Sequence, residues 1–204
     1  MITNCPLPAA LTAISTSCQF NFGQIVRMAF QQRQASAPFA DEAAIQTLSN
    51  WTTLKAASDA TKVVVSPAFS GFTIPQSEPQ KAGGNDNSTI KGLPELFGNG
   101  TVSPSGIYKG LAGALAAELD NLTQFSLPNS VGNTTLTMYM FNADGYLFYL
   151  DGFFGIPLYN YIVGTAGTEG LNSKNQTPFS FDLPADWDRL VKVTKPTFDP
   201  MTDI

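Results

Sequence analysis

The fold of this chain is decided by residues 134–150, TTLTMYMFNADGYLFYL. From Thr134 to Phe141 apolar and polar residues alternate, which is typical of a β-strand with one buried face. One side of that strand carries three apolar side chains, Leu136, Met138 and Met140. The sequence Asn142–Gly145 favours a tight turn between antiparallel strands, and Tyr146–Leu150 supplies the partner. This stretch therefore predicts a β-hairpin within an antiparallel sheet.

Strands are also predicted on both sides of this hairpin. Val63–Val65 is a β-branched run that stops at Pro67, which is typical of a short strand. The predicted strands outside the hairpin are 22–30, 61–66, 69–74, 101–108, 156–163 and 179–183. The polar, glycine-rich stretch Gly164–Gln176 predicts a loop between the last two of them.

Two helices are predicted as well. Residues 41–58 begin with Asp41 and Glu42, whose negative charges favour the first turn of a helix. Four apolar side chains then follow at helical spacing, Ala44, Leu48, Trp51 and Leu54. The stretch Gly110–Leu122 repeats leucine at the same kind of spacing and predicts the second helix.

The order of these elements predicts an α+β fold that is mainly β. We expect an antiparallel β-sandwich or barrel with one or two flanking helices. The length of 204 residues fits a single domain. Within residues 1–204 we expect an N-terminal arm or strand at 1–40, a long interaction loop at 77–92 and an extended C-terminal arm at 184–204.

The predicted loop at Ser77–Gly92 is the first candidate for a functional segment. It is rich in Pro, Gly, Asn and Asp, and loops of this length in compact domains usually serve a function or an interaction. Its centre holds five turn-forming residues, Gly83, Gly84, Asn85, Asp86 and Asn87. A calcium loop needs regularly spaced acidic ligands, which this cluster lacks. We therefore interpret these five residues as a flexible loop or as a contact between subunits.

The shortage of charge is the most informative feature of the composition. Charged residues make up 13% of the chain, against roughly 25% in an average soluble domain. Charges are depleted at the cores of protein interfaces, so this deficit favours a subunit that other copies cover. The alternative is a secreted or β-rich monomer with a neutral polar surface. The net charge of −5 argues against a protein that binds the nucleic-acid backbone.

The chain contains no histidine. The most common general base and the usual zinc ligand are therefore missing. We expect that the protein is not an enzyme and that it holds no metal and no cofactor. Asp182, Asp186 and Asp188 surround Trp187, and carboxylates beside an aromatic ring are typical of carbohydrate-active sites. The alternative is that Trp187 anchors the C-terminal arm on the core or on a neighbouring subunit.

The two cysteines, Cys5 and Cys18, leave open whether a disulfide forms. Residues 1–13 lack the basic and apolar regions of a signal peptide. The longest apolar run, Tyr146–Leu150, is too short to span a bilayer. We therefore expect a soluble protein without membrane partners.

Four stretches of the chain resemble virion proteins of tailed phages, in particular those that infect Bacteroidota. They are Phe22–Gln31, Asn50–Leu54, Gly83–Gly92 and the Asp186-Trp187-Asp188 ending. Within that group the element order looks like that of a tail tube protein. In that family a β-sandwich or barrel with a flanking helix forms hexameric rings, and inner sheets join into a continuous barrel. A long loop and terminal arms bind the next ring.

This resemblance implies a structural subunit of the virion, assembled in the bacterial cytoplasm, that binds other copies of itself in stacked hexameric rings. Other tail or neck proteins would be its further partners, and DNA would pass through the tube without being bound. Ser77–Gly92 would stack the rings, and the hairpin strands Thr134–Leu150 would help line the tube. Six residues are the candidate subunit contacts, Gly83, Gly84, Asn85, Asp86, Asn87 and Trp187. A capsid decoration (cement) protein, a neck protein and a carbohydrate-binding domain are the alternatives.

Overall fold

The computed structural model describes residues 22, 24–84, 93–111, 113–128, 135–168, 170 and 174–204. The helices are α1 (Glu42–Gln46), α2 (Leu48–Ala56) and α3 (Gly113–Ser126). The strands are β1 (Ile25–Gln32), β2 (Val63–Val65), β3 (Phe69–Thr73), β4 (Pro79–Ala82), β5 (Glu95–Asn99), β6 (Ser105–Lys109), β7 (Leu136–Asn142), β8 (Leu147–Leu150), β9 (Ile156–Pro157), β10 (Tyr159–Val163), β11 (Gln176–Asp182) and β12 (Val191–Thr194).

The first sheet is antiparallel and has the strand order β12-β8-β7-β1-β2. Strand β7 is its centre, because β1 pairs with one edge of β7 while β8 and β9 share the other edge. The β7–β8 hairpin has Met140 opposite Phe148 and Phe141 opposite Leu147. The hairpin predicted for residues 134–150 is therefore confirmed.

The second sheet has the order β10-β11-β6-β3 and is also antiparallel. The chain passes from the first sheet to the second between β2 and β3, where Ser66 donates its N–H to the Met28 carbonyl oxygen over 2.7 Å. It passes over again between β9 and β10. A separate two-stranded hairpin, β4–β5, belongs to neither sheet.

The two sheets pack face to face around one hydrophobic core. Met28, Met138 and Met140 face it from the first sheet, and alternate residues of the second sheet, such as Phe179 and Phe181, face it from the other side. Helix α3 lies against β10 and adds Leu119 and Leu122 to the same core. This arrangement confirms the predicted α+β, mainly β sandwich, with sheets that are not closed into a barrel.

A second core covers the opposite face of the first sheet. Helices α1 and α2 and the C-terminal segment pack there against β7 and β8. Trp51 is its centre, with its ring centroid 4.9 Å from that of Phe39 and 5.2 Å from that of Tyr139. Every residue of β7 is consequently buried. The molecule has three layers, and the first sheet is the middle one.

The helix predicted at residues 41–58 is interrupted at Thr47. Asp41 caps α1 by accepting the Ala44 N–H over 2.7 Å, and Thr47 is extended with φ −95° and ψ 122°. The carbonyl oxygens of Ala44 and Ile45 accept instead from Asn50 Nδ2 and Trp51 Nε1, each over 2.8 Å. These side chains take the place of the backbone N–H donors of a continuous helix. The carbonyl groups at the end of α1 therefore stay hydrogen-bonded despite the break.

The strand predicted at 156–163 is divided between the two sheets. Ile156–Pro157 pairs with β7 in the first sheet, whereas Tyr159–Val163 pairs with β11 in the second. Leu158 is the buried crossing point between the sheets: its N–H still donates to the Leu136 carbonyl oxygen of the first sheet over 3.3 Å, and the chain then enters β10.

The structure also corrects one loop, the C-terminal segment and the starts of two elements. The loop predicted at 77–92 contains strand β4, because Pro79–Ala82 pairs with Glu95–Asn99. The C-terminal segment is not a free arm, since Val191–Thr194 pairs with β8 and residues after it pack on the helices. The second helix and the strand predicted at 179–183 begin at Gly113 and Gln176. Residues 1–21, which include Cys5, Cys18 and most of the predicted N-terminal arm, lie outside the described residues.

Candidate subunit interface

The β4–β5 hairpin stands apart from both sheets. Strands β4 and β5 pair with each other in antiparallel register, with Lys81 opposite Leu96 and Ala82 opposite Glu95. The register shifts by one residue between Gln80 and Lys81, so Phe97 is the extra residue of a β-bulge. Every residue of the two strands except Gly98 is exposed. The hairpin is therefore an arm whose two faces this chain leaves in solvent.

The base of this arm is fixed to the body. Gly100 donates its N–H to the Glu78 carbonyl oxygen over 2.9 Å and closes the hairpin. Directly after it, Val102 and Leu183 exchange two backbone hydrogen bonds, of 3.2 and 2.7 Å. The arm thus leaves the sandwich beside the end of β11, at a defined position.

Strand β5 and the segment just before it carry the most exposed large apolar side chains of the described residues. Leu93 is 64% exposed, Leu96 66% and Phe97 71%. Exposed apolar side chains that lie together are typical of protein interaction sites. Burying such a side chain contributes about 1.5–3 kcal/mol, so the arm can supply binding free energy when a partner covers it.

The outer face of the second sheet is a further uncovered surface. Ser70, Ile107 and Pro178 lie side by side across β3, β6 and β11, because Ile107 is opposite both other residues. Ser105, Ser180 and Ile162 form the neighbouring row. The strands of this sheet contain only two charged residues, Lys109 and Asp182. This face is therefore nearly neutral and offers hydroxyl groups between apolar side chains.

The predicted contact residues fall in different places. Gly83 and Gly84 directly follow β4, with φ of 70° and 101°, in the left-handed region that glycine adopts without strain. Asn85, Asp86 and Asn87 lie outside the described residues. The role of these five residues in a subunit contact stays a prediction.

Trp187 lies in the main core. Its ring centroid is 4.9 Å from that of Phe22, and only 8% of the residue is exposed. This chain therefore occupies most of the indole surface that a neighbour or a sugar would need. Its role in a subunit contact stays a prediction as well.

The three aspartates around Trp187 do not converge on a common site. The Asp182 carboxylate accepts from Ser103 Oγ over 2.6 Å and from Asn160 Nδ2 over 2.7 Å, which ties together the ends of neighbouring elements. Asp186 pairs with Arg189 over 3.0 Å on an exposed turn. Within the described ranges no three His, Cys, Asp or Glu side chains lie together as metal ligands would.

The interpretation of Thr134–Leu150 as the lining of a tube is wrong for its first strand. A residue that lines a channel is exposed in the single subunit, whereas all of β7 is buried between the two cores. The alternation pattern does not reveal the second core, because Thr137 and Tyr139 look like a row of side chains that faces solvent. Their hydroxyls are satisfied internally, by the Gln31 carbonyl oxygen at 3.0 Å and the Phe153 carbonyl oxygen at 3.3 Å.

The sequence prediction also missed the apolar side of the arm. Leu93, Leu96 and Phe97 stand among Pro and Gly residues, so they give no periodic pattern. Their position next to the glycine-rich loop is the one signal that connects them with an interaction segment. No helix among the described residues has the length and apolar character needed to cross a membrane.

Comparisons with known proteins give little. No protein-family model matches the chain, and no curated protein is similar to it. Among the solved structures to which this chain is similar is a chain from the tail of an empty GTA particle with C6 symmetry. The similarity covers 62% of this chain and 84% of that chain, at 9% identity and a TM-score of 0.32. A similarity this weak assigns neither fold nor function.

Proposed function

We propose that this chain is a structural subunit of a phage virion, and that its copies form stacked hexameric rings of a tail tube through which DNA passes. The observation that carries the proposal is the β4–β5 arm, which exposes Leu93, Leu96 and Phe97 to solvent. The low charge and the resemblance of four stretches to tailed-phage virion proteins support the same conclusion.

The arm suits contacts between rings because it extends beyond both sheets and is fixed at its base. Each copy would place its arm on a neighbouring copy, and each would receive one in turn. Such head-to-tail contacts are heterologous, and they produce closed rings or open helical stacks according to the rotation between copies. A tail tube uses both arrangements at once.

The outer face of the second sheet is our candidate for the inner wall of the tube. The first sheet is excluded by its two covering layers. The second sheet has a nearly neutral outer face with Lys109 as the one basic residue of its strands. DNA binds proteins mainly through lysine and arginine contacts to phosphates, so this face would let DNA pass without holding it. We propose no catalytic role.

The proposal is tested by concentrating the purified full chain and following assembly by sedimentation velocity and negative-stain microscopy. We expect rings or tubes with sixfold symmetry in the projected rings. A chain that stays monomeric at millimolar concentration, with and without phage tail components as nuclei, would contradict self-assembly. Labelling of intact virions with an antibody against this chain then separates the alternatives. Label on capsids or necks instead of tails would make it a cement or neck protein.

The carbohydrate-binding alternative has no observation in its favour. Its stacking ring, Trp187, is buried against Phe22, and the neighbouring aspartates have separate partners. A glycan array that gives binding dependent on Trp187 would restore it.

A further inference from the structure

An apolar pocket opens beside the C-terminal end of α3. Its volume is about 190 Å³, and its floor is formed by the buried side chains of Phe30 and Leu136. Leu122 and Val64 form its walls, and Phe125, which is 42% exposed, lies at its edge. An apolar cavity of ~150 Å³ is large enough to hold benzene, so this pocket has room for one phenyl ring.

Two opposite charges stand on the rim of this pocket. Asp59 and Lys62 belong to the turn between α2 and β2, and both residues are exposed. Hydrogen bonds from the Thr61 side chain and backbone lower the pKa of the Asp59 carboxyl, which holds it in the charged form. The pocket therefore presents an apolar centre with one negative and one positive charge at its edge.

The β4–β5 arm carries the complementary set. Phe97 and Leu96 are its exposed apolar side chains, and Lys81 is the residue opposite Leu96. Glu95 precedes Leu96 on β5 and is opposite Ala82. Cross-strand partners share a side of a hairpin and successive residues alternate between its sides, so Lys81 lies on the Leu96 side of the arm and Glu95 lies on the opposite side. No residue of the arm is among those that line the pocket. The arm and the pocket are therefore separate surfaces of the described chain.

We propose that this pocket is the acceptor for the β4–β5 arm of a second copy of the chain. The Phe97 ring enters the pocket, Lys81 meets Asp59 and Glu95 meets Lys62. The contact is heterologous, because arm and pocket are different surfaces, and it leaves one free arm and one free pocket at the ends of any open series. This inference rests on the proposed self-assembly and names the surface that receives the arm.

The first test places a photo-crosslinking analogue, p-benzoylphenylalanine, at position 97 of the full chain. Assemblies are irradiated, and cross-linked peptides are identified by mass spectrometry after mixing isotopically light and heavy protein. We expect cross-links between light and heavy chains that join position 97 to peptides containing Phe30, Val64, Phe125 or Leu136. Cross-links within one chain, or to any other surface, overturn the proposal.

The second test exchanges charges without altering the net charge. The arm variant carries Lys81→Glu and Glu95→Lys, and the acceptor variant carries Asp59→Lys and Lys62→Asp. Each variant alone brings like charges together, and we expect a roughly tenfold rise in the concentration at which it assembles, the change that follows from about 1.4 kcal/mol. In an equimolar mixture every arm finds a complementary acceptor on the other variant, so assembly returns to the wild-type concentration.

The outcomes separate this inference from the proposed function. If wild-type chains assemble but the cross-links map elsewhere, or the mixture assembles no better than its components, the acceptor is wrong and self-assembly stands. If wild-type chains never assemble, both proposals fail. A matched control, Leu190→Ala, removes another exposed apolar side chain, 51% exposed, that belongs neither to the arm nor to the pocket lining, and we expect its assembly concentration to be unchanged.

Discussion

Arg27 Nη1 donates hydrogen bonds to the carbonyl oxygens of Pro200, over 2.7 Å, and Met201, over 3.0 Å. Its Nε donates to the Ser66 carbonyl oxygen over 2.9 Å. One half-buried side chain at the start of β1 thereby joins the C-terminal segment to the corner where the chain passes between the sheets. Burial lowers the pKa of Arg27, and the nearby Asp199 carboxylate acts in the opposite direction.

Replacing Arg27 by methionine should destabilise the chain. The change removes the three hydrogen bonds that Arg27 donates to backbone carbonyl oxygens. Hydrogen bonds to charged groups contribute about 1.5–3 kcal/mol each, and water can restore part of this at a half-buried site. We expect a loss of about 2–3 kcal/mol in the free energy of unfolding, measured by urea denaturation. Arg189→Met is the matched control. It breaks only the exposed pair with Asp186, so a comparable loss there would contradict the specific role of Arg27.

A close approach of backbones at Gly155 gives a second prediction. A Cβ added at Gly155 would lie 2.6 Å from Thr137 Oγ1 and 3.1 Å from the Met138 backbone nitrogen. Since Met138 is in the centre of β7, the neighbouring backbone cannot yield without disturbing both cores. We expect Gly155→Ala to lower the free energy of unfolding by about 1–3 kcal/mol. Gly167→Ala, where an added Cβ meets nothing within 4 Å, should leave the melting temperature unchanged; equal shifts would refute the packing argument.

The central hairpin could be predicted from sequence because one property, alternation, specifies both the strand and its inner face. The double burial of β7 could not, because it depends on which distant segments return to cover the outer face. Trp51 and Phe39 do so from a part of the chain about one hundred residues earlier. Local patterns carry no information about such returns, and a threonine row is compatible with either environment.

The β4–β5 arm could not be predicted from local sequence patterns. Strand β4, with the sequence Pro-Gln-Lys-Ala, has neither alternation nor β-branched residues, and it is a strand because β5 pairs with it. Composition indicates an interaction segment near Gly83 and Gly84. The exposed Phe97 ring and the charges of Lys81 and Glu95 lie on the strands beside that cluster. The sequence allows Trp187 to anchor the C-terminal arm on the core or on a neighbouring subunit, and its contact with Phe22 shows that it packs on the core of its own chain.

The buried tyrosines predict a limit of stability at high pH. Desolvation raises the pKa of Tyr108, Tyr139 and Tyr161, and Tyr108 and Tyr161 also lie with hydroxyl oxygens 3.2 Å apart. In the unfolded chain their pKa is about 10. Their neutral forms therefore stabilise the fold fully below pH 10, and this contribution is lost as the pH rises toward the folded pKa values, at about 1.4 kcal/mol per pH unit for each group.

Alkaline titration measures this directly. Phenolate absorbance and circular dichroism are followed together as the pH is raised above 10, and we expect the three buried tyrosines to ionise only in the step in which the fold is lost. Ionisation of all six tyrosines in one reversible step near pH 10, with the circular dichroism unchanged, would show that these side chains are accessible and that the cores are misplaced.

The arm allows assembly to be separated from folding. Leu96 and Phe97 make almost no contact with the body of the chain, being 66% and 71% exposed. Substituting both by serine should therefore change the free energy of unfolding by no more than about 0.5 kcal/mol. The same substitutions remove the apolar surface that a partner would bury, at about 1.5–3 kcal/mol for each side chain. We expect the concentration needed for assembly, measured by sedimentation velocity, to rise at least tenfold. Leu190→Ser replaces an exposed apolar side chain outside the arm, 51% exposed, and should assemble like the wild type. If the double variant assembles normally while Leu190→Ser does not, the subunits meet through the C-terminal side of the sandwich and the arm has another purpose.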